Sequence, residues 1–573
     1  MAGAAHLLVD TNRDGQLTPA DEPGKNAWTS AAGAVFAWNN DNDGQRKPAS
    51  MAWTDVQKVL DCSDTVMNGQ NDARSDGIVV ASRLPGTTPT SVTLAVTPRT
   101  APVRIFMANT SGNWTQLIAP GAGSGQIPVA QITAGDVNLL VEGTGPRTAS
   151  WDGTINVTLT VAGPAPSNDS VCLREAPVIF TDNTRPALIV YAMMIDDPNG
   201  GPNTPFWNVL SSGLQAQNVP LYSADQNTYG FDRWVQDNMQ IGYEGFAGPN
   251  GYDWIHELNQ LERGAGAGGT PGSQASGDLW SFLPNDLLGP NAGMAYAGPS
   301  ASQDSPNYGG NFEVLPPYST AFPFGRYMHG GGNTGTLDGS PDSRHMNPEE
   351  VAFVTAQGMQ VPDIEISSEW LAVGHLDEFL MAVPDFSASP PHPFKILWSS
   401  PALAIQALKQ LQSSGHGTAA VFAGTSDQTT VNAILGDANL MTFNDEAQAR
   451  LDSDRSALKQ MTGLTDADFI QMPVFYMVSS YGGLNYAVAE NPGVQNCIPV
   501  NDTLYMPNPS GPQDPAAPAG QDVWQTQILK AVAPTGLKIV WVDVYTSYHQ
   551  LMGEAHCGSN VLYEPYSTPW WQK

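Results

Sequence analysis

The chain has 573 residues, 41% of them hydrophobic, which permits a sizeable core; at about 150 residues per domain it predicts roughly three to four compact units or fewer large ones. Its 24 Lys and Arg against 55 Asp and Glu leave a formal charge of -31, a surface that repels nucleic-acid phosphates and suits calcium or basic, arginine-bearing partners. No run approaches the ~18 consecutive apolar residues of a membrane span, and Met1 to Leu8 is too short for the apolar region of a signal peptide.

The first ~80 residues are rich in spaced acids, a composition suited to turns and metal loops. In Asp10-Thr11-Asn12-Arg13-Asp14-Gly15-Gln16-Leu17-Thr18, continuing to Asp21, oxygen-bearing side chains recur at alternate positions, with glycine sixth and an acid twelfth. That arrangement wraps a hard Ca²⁺ in a tight turn, although Asp replaces the usual bidentate Glu at the twelfth position. Asn39, Asp41 and Asp43 repeat the alternation ahead of Gly44, and Asp61 and Asp64 follow. The competing reading of these acids is solvated turns capped by Asp and Asn.

From Gly77 the pattern has period two. Residues 77–82, 91–96, 103–106, 137–141 and 155–161 alternate or run β-branched between Gly, Pro and Asn turns, which predicts a β-sandwich. Pro164-Ala165-Pro166-Ser167-Asn168 ends the alternating region and reads as a linker. Beyond Arg185-Pro186, the apolar strand 187–193 opens an alternation of strands and helices, hence an α/β region over 176–573. Helices are predicted over 402–411, from Asn444 as cap through Met461, and over 523–532, with a strand over 536–542. Gly264 to Gly277 reads as a surface loop.

Four cysteines are too few for a disulfide scaffold and leave room for one pair among Cys62, Cys172 and Cys497. Sequons beginning at Asn109, Asn113, Asn156, Asn168 and Asn501, the acidic composition and the few lysines favour a secreted protein with its leader removed, a cytoplasmic protein being the alternative.

The chemistry concentrates around Cys557, in Gly553-Glu554-Ala555-His556-Cys557-Gly558. A thiolate nucleophile needs partners from elsewhere in the fold, because an adjacent His556 is not by itself a catalytic constellation. The candidates are His375 and Asp377, two residues apart and so on one side of an extended strand, and Asp237, close to Trp234. Two carboxylates, a histidine, a thiol and an aromatic wall suit a planar cation, since carboxylates accept guanidinium hydrogen bonds in a fork. A cysteine hydrolase or transglutaminase would also use Cys, His and Asp, but leaves the second carboxylate without work. A calcium-dependent adhesion protein with an inactive catalytic region is a further alternative.

Residues 231–243, Asn311 to Pro317 with Gly325-Arg326, Trp370 to Val383, Gly415-His416-Gly417 and Gly553 to Asn560 resemble the protein-arginine deiminases, in the same order. The likeness extends to the N-terminal acidic loops and to Ala176 through Arg185. The resemblance implies an immunoglobulin-like β-sandwich over 1–175, followed over 176–573 by a catalytic domain of the pentein type, an α/β propeller with five-fold pseudosymmetry. It implies hydrolysis of arginine residues in proteins or peptides to citrulline and ammonia through a cysteine thiouronium, with free arginine or small guanidines as the alternative substrates. Cys557 would be the nucleophile, His375 the general acid and base, Asp237 and Asp377 the guanidinium clamps, and Trp234 the wall for the substrate's aliphatic stem. Arg263 is the nearest candidate for a substrate-backbone contact. Calcium is the implied cofactor, with Gln236 and Glu313 as site ligands, but Asn238 and Gln240 stand where the animal enzymes carry calcium-binding glutamates. Calcium is therefore expected in the N-terminal region, through Asp10, Asn12, Asp14, Asp21, Asn39, Asp41, Asp43, Asp61 and Asp64, more than at the thiol. Nothing in the sequence specifies an oligomer.

Overall fold

The structure is a computed structural model describing residues 4–38, 76–83, 86, 88–197, 201–248, 251–261, 279, 282–289, 291–297, 304–388, 391–513 and 522–573. Asn39, Asp41, Asp43, Asp61, Asp64, Cys62, Arg263 and the loop over 264–277 lie outside the described residues.

The alternating segments form two five-stranded sheets. One runs in the order Ala5–Val9, Gly77–Arg83, Val137–Gly143, Val103–Ala108, Trp114–Ile118; the other Ala34–Phe36, Ser167–Glu175, Thr154–Ala162, Ser91–Thr97, Ser124–Gln126. Period-two burial along Thr154–Ala162 turns every second side chain inward. Leu7, Val79, Ile105 and Leu139 of one sheet share a core with Leu94, Leu159 and Leu173 of the other, so the pair is a sandwich. The predicted linker is instead a hairpin connection, since Ser167 and Asn168 already pair with Val161 and Thr160. Asp169, two residues into that strand, accepts from Leu7 N at 2.8 Å and Lys25 Nζ at 2.7 Å, which fixes the strand where the prolines alone suggested an open connection.

The sandwich is bonded to the α/β region. Trp38 N donates to Glu244 Oε2 at 2.7 Å, and the Arg13 guanidinium lies over the rings of Trp28 (4.7 Å) and Trp571 (5.2 Å).

From Val178 onward, among the described residues, one sheet pattern recurs five times: a first strand pairs antiparallel with a second, which pairs parallel with a third. The triplets are Met239–Gly248, Gly251–Gln260 and Ala292–Ala295; Phe312–Leu315, Arg326–Gly331 and Ile364–Ser367; Leu380–Pro384, Phe394–Ser399 and Phe469–Met472; and Ile498–Val500, Thr503–Pro507 and Lys538–Val542. The fifth joins the two ends of this region: Ser559–Tyr563 pairs antiparallel with Ala187–Ala192, which pairs parallel with Leu221–Tyr222. This repetition is what a pentein resemblance leads one to expect, and helices between the strands make the region α/β.

Helices Pro401–Leu411 and Val523–Val532 match the predicted spans and start on side-chain caps, Ser400 Oγ accepting from Leu403 N and Asp522 Oδ1 from Gln525 N. The long helix begins earlier than predicted, running Ala438–Thr462 with Asp437 as its cap. Asn444 lies buried inside it and works across the fold, accepting from Tyr476 N at 2.7 Å and donating to Tyr476 O at 2.8 Å. Among the described cysteines Cys172, Cys497 and Cys557 are all free thiols, so of the pairings the sequence leaves open Cys172–Cys497 does not form. Among the described residues no helix is long and apolar enough to cross a membrane.

Candidate active site

The turn that leads into the first strand of each triplet carries a residue of the candidate site. Gln236–Asn238, a 3-10 turn, precedes Met239; Gly309–Asn311, another, precedes Phe312; Leu376–Glu378 precedes Leu380; Asn496 precedes Ile498; and Cys557 precedes Ser559. Five short segments scattered over more than 300 residues thus converge because they occupy one position of one repeated unit.

Cys557 is 6% exposed, and its Sγ lies 3.5 Å from Asp377 Oδ2. Burial is the first cause, and the charges of Asp377 and Asp237 the next, that push this thiol well above its usual range. The resting sulfur is accordingly protonated and donates to Asp377. Leu376–Glu378 is a 3-10 turn with extended His375 as its cap, not the strand end predicted from the two-residue spacing. His375 and Asp377 still face one point, because a Cβ on Gly310 would lie 2.5 Å from His375 Nδ1 and 2.9 Å from both Asp377 oxygens. His375 Nε2 lies 2.8 Å from the carbonyl oxygen of Ser305, which can only accept, so Nε2 carries the proton. That leaves Nδ1 toward Asp377 Oδ1 at 3.9 Å and Asp237 Oδ1 at 4.0 Å, without a hydrogen-bond partner among the described residues. Trp234 is half-buried, with its ring edge-on to Tyr548 at 5.7 Å and its six-membered ring so close to Gly553 that no Cβ would fit there.

Two residues without a role assigned from sequence complete the site. Asn496 Oδ1 accepts from the backbone nitrogens of His556 (3.0 Å) and Cys557 (3.2 Å), while its Nδ2 donates to Cys557 Sγ and to Asp377 O, both at 3.2 Å. It ties the thiol turn to the carboxylate turn. His556, discounted as a mere neighbour of the thiol, is fully buried with Nδ1 2.9 Å from Asp377 Oδ2.

Gln236, Gln240, Glu313 and His556 line a cavity of about 10 Å³ beside this cluster, room for about one water. Gln236 Nε2 donates to Gln240 Oε1 at 3.3 Å, and Asn183 Nδ2 donates to Glu313 Oε2 at 3.2 Å. Burial pushes Glu313 up to about 8. Glu313 is the single carboxylate among the residues lining this cavity, the rest of the polar lining being neutral side chains and His556, a weak donor set for Ca²⁺, which takes six to eight oxygens, several of them usually charged. In the N-terminal loop Asp10 accepts from Asp14 N and Gly15 N, Asn12 Oδ1 from Asp14 N, and Asp14 from Gln16 N. Asp21, expected as the twelfth ligand, is buried and accepts from Thr11 N, Asn12 N and Thr18 N. Among the described residues no three His, Cys, Asp or Glu side chains converge to hold a metal.

Residues 165–572 match the family model described as protein-arginine deiminase. Among curated proteins, protein-arginine deiminase type-1 of Mus musculus is 27% identical over 99% of this chain and 82% of its own length. The type-1 protein of Homo sapiens is 29% identical over 82% of this chain and 68% of its own, and the type-4 protein of Mus musculus 31% identical over 70% and 56%. Among solved structures an agmatine deiminase of Enterococcus faecalis aligns over 67% of this chain and 95% of its own at a TM-score of 0.35 and 13% identity. With a family model spanning well over half its length, the chain belongs to the protein-arginine deiminases, hydrolases acting on C–N bonds.

Proposed function

We propose that this chain deiminates peptidyl arginine to citrulline through a covalent adduct on Cys557, a reading carried by the thiol's contact with Asp377 beside His375 and Asp237. Asp237 and Asp377 clamp the guanidinium and hold its central carbon over the sulfur, which turns a bimolecular attack into a positioned one. The substrate's charge also neutralises the two carboxylates that hold the thiol protonated. Sγ then yields its proton to His375 Nδ1 and adds to the carbon. The tetrahedral adduct collapses as His375 returns the proton to a departing nitrogen, releasing ammonia and leaving a thiouronium. Water gives a proton to His375 and adds to the same carbon. Expulsion of the thiolate yields citrulline, the sulfur recovers its proton, and the remaining proton leaves with ammonia as ammonium.

No step in this scheme passes through a metal. We assign calcium to the N-terminal region, through Asp10, Asn12 and Asp14 and through Asn39, Asp41, Asp43, Asp61 and Asp64. The test is citrulline and ammonia release from a benzoyl-arginine peptide, free arginine and agmatine, each with Ca²⁺ and with excess chelator. Release from the peptide that survives chelator and is abolished by Cys557→Ser supports the scheme. Release that Cys557→Ser leaves intact overturns the assigned nucleophile, and abolition by chelator reversed by Ca²⁺ overturns the metal-free clamp.

A further inference from the structure

Asp377 is asked to bind a guanidinium, yet one of its oxygens is already engaged. Oδ2 receives His556 Nδ1 at 2.9 Å and the Cys557 thiol at 3.5 Å, whereas Oδ1 has no hydrogen-bond partner among the described residues and points toward His375 Nδ1 and the open side of Gly310. The thiol contact ends when sulfur attacks; the histidine contact has no reason to end. His556 cannot swing away, because its backbone nitrogen is held by Asn496 Oδ1 at 3.0 Å and its side chain is enclosed.

We propose that His556 is a positioning residue for the guanidinium clamp: its Nδ1–H fixes the plane of the Asp377 carboxylate, so that Oδ1 stays presented to the substrate while Cys557 is released for attack. Asp377, Glu313 and Asp237 are the carboxylates that face the imidazole. Burial works against a charged ring there, but the hydrogen bond and charge of Asp377, then the charges of Glu313 and Asp237, outweigh it and raise the His556 pKa. The inference rests on the deiminase reading for its substrate but on the Nδ1 contact for its geometry.

The two ring nitrogens give a selective test, because an asparagine amide nitrogen overlays Nδ1 whereas a glutamine amide nitrogen reaches toward Nε2. In chelator, His556→Ala and His556→Gln are expected to raise KM for a benzoyl-arginine peptide about 10- to 100-fold, the range of a lost hydrogen bond to a charged group. His556→Asn should stay within about threefold of the parent. An unchanged KM in His556→Ala, or equal KM values for the Asn and Gln variants at equal melting temperature, overturns the proposal. If His556→Ala does not fold, the Asn and Gln pair decides alone. A second readout separates this from the reaction itself: the benzoyl-arginine amide concentration that halves iodoacetamide alkylation of Cys557 should shift in the same order. If the parent releases no citrulline, the deiminase reading falls and that binding order still decides the role of His556.

Discussion

Gly310→Ala tests the site with a single methyl group. The new Cβ would stand 2.5 Å from His375 Nδ1 and 2.9 Å from both oxygens of Asp377, where ordinary contact begins near 3.4 Å. The imidazole or the turn behind it must therefore retreat by about 0.9 Å. Gly310 is not in the left-handed region, so alanine meets no backbone strain and the entire effect is a displacement of two reacting groups. A misplacement of about 1 Å costs on the order of 100-fold in rate, while overpacking costs about 1–3 kcal/mol of stability. The assay is citrulline release at saturating and at low peptide, with urea unfolding and the iodoacetamide alkylation rate of Cys557 as controls. The expected result is a loss of about 100-fold in kcat/KM in a protein that remains folded. Parent kcat/KM in a folded Gly310→Ala protein would refute the claim that His375 and Asp377 act from the positions described.

Asn496→Asp removes the donor to Cys557 Sγ and sets a charge 3.2 Å from it, so citrulline release should fall roughly 10- to 100-fold with the alkylation rate falling alongside; unchanged rates refute the tether. Burial raises the Glu350 carboxyl to about 8, so the folded chain keeps a proton there that the unfolded chain, near 4.5, gives up. That stability is complete below the unfolded value and lost as pH rises through about 8, so Glu350→Gln should flatten the decline between pH 5 and 8 by about 1.4 kcal/mol per pH unit at most, read in urea titrations. An unaltered slope counts against a buried proton at Glu350. Asp437→Ala deletes the acceptor of Asn439 N and Leu440 N and should cost about 1 kcal/mol in urea unfolding without altering citrulline release; a cap role for Asn444 would predict no cost.

The four residues of the proposed reaction are legible because each carries a chemistry that few other roles require. A thiol between glycines, a histidine two residues from an acid and an acid beside tryptophan state their types in the sequence itself. Asn496 states nothing of the kind: a neutral amide works here through four hydrogen bonds to turns that are distant in sequence, and only the fold reveals it. His556 is visible but easily misjudged, since its neighbour Cys557 draws the comparison while its partner, Asp377, lies 179 residues away. The recurring sheet pattern is hidden for another reason, because it resides in hydrogen-bond direction and not in residue type. Asp437 and Asn444 show the limit of local capping rules: both are helix-starting residues, and the choice between them is made by Tyr476, which consumes the Asn444 amide.

The pairing of Ser559–Tyr563 with Ala187–Ala192 also sets an order of events. As the chain is synthesised Asp237 and Asp377 emerge first and the thiol some 180 residues after Asp377, just ahead of the strand that joins the two ends of the α/β region. In the folded chain that pairing sets Cys557, two residues before Ser559, beside Asp377. The site is thus a property of closure and of no single segment, assembled where strands far apart in the chain meet.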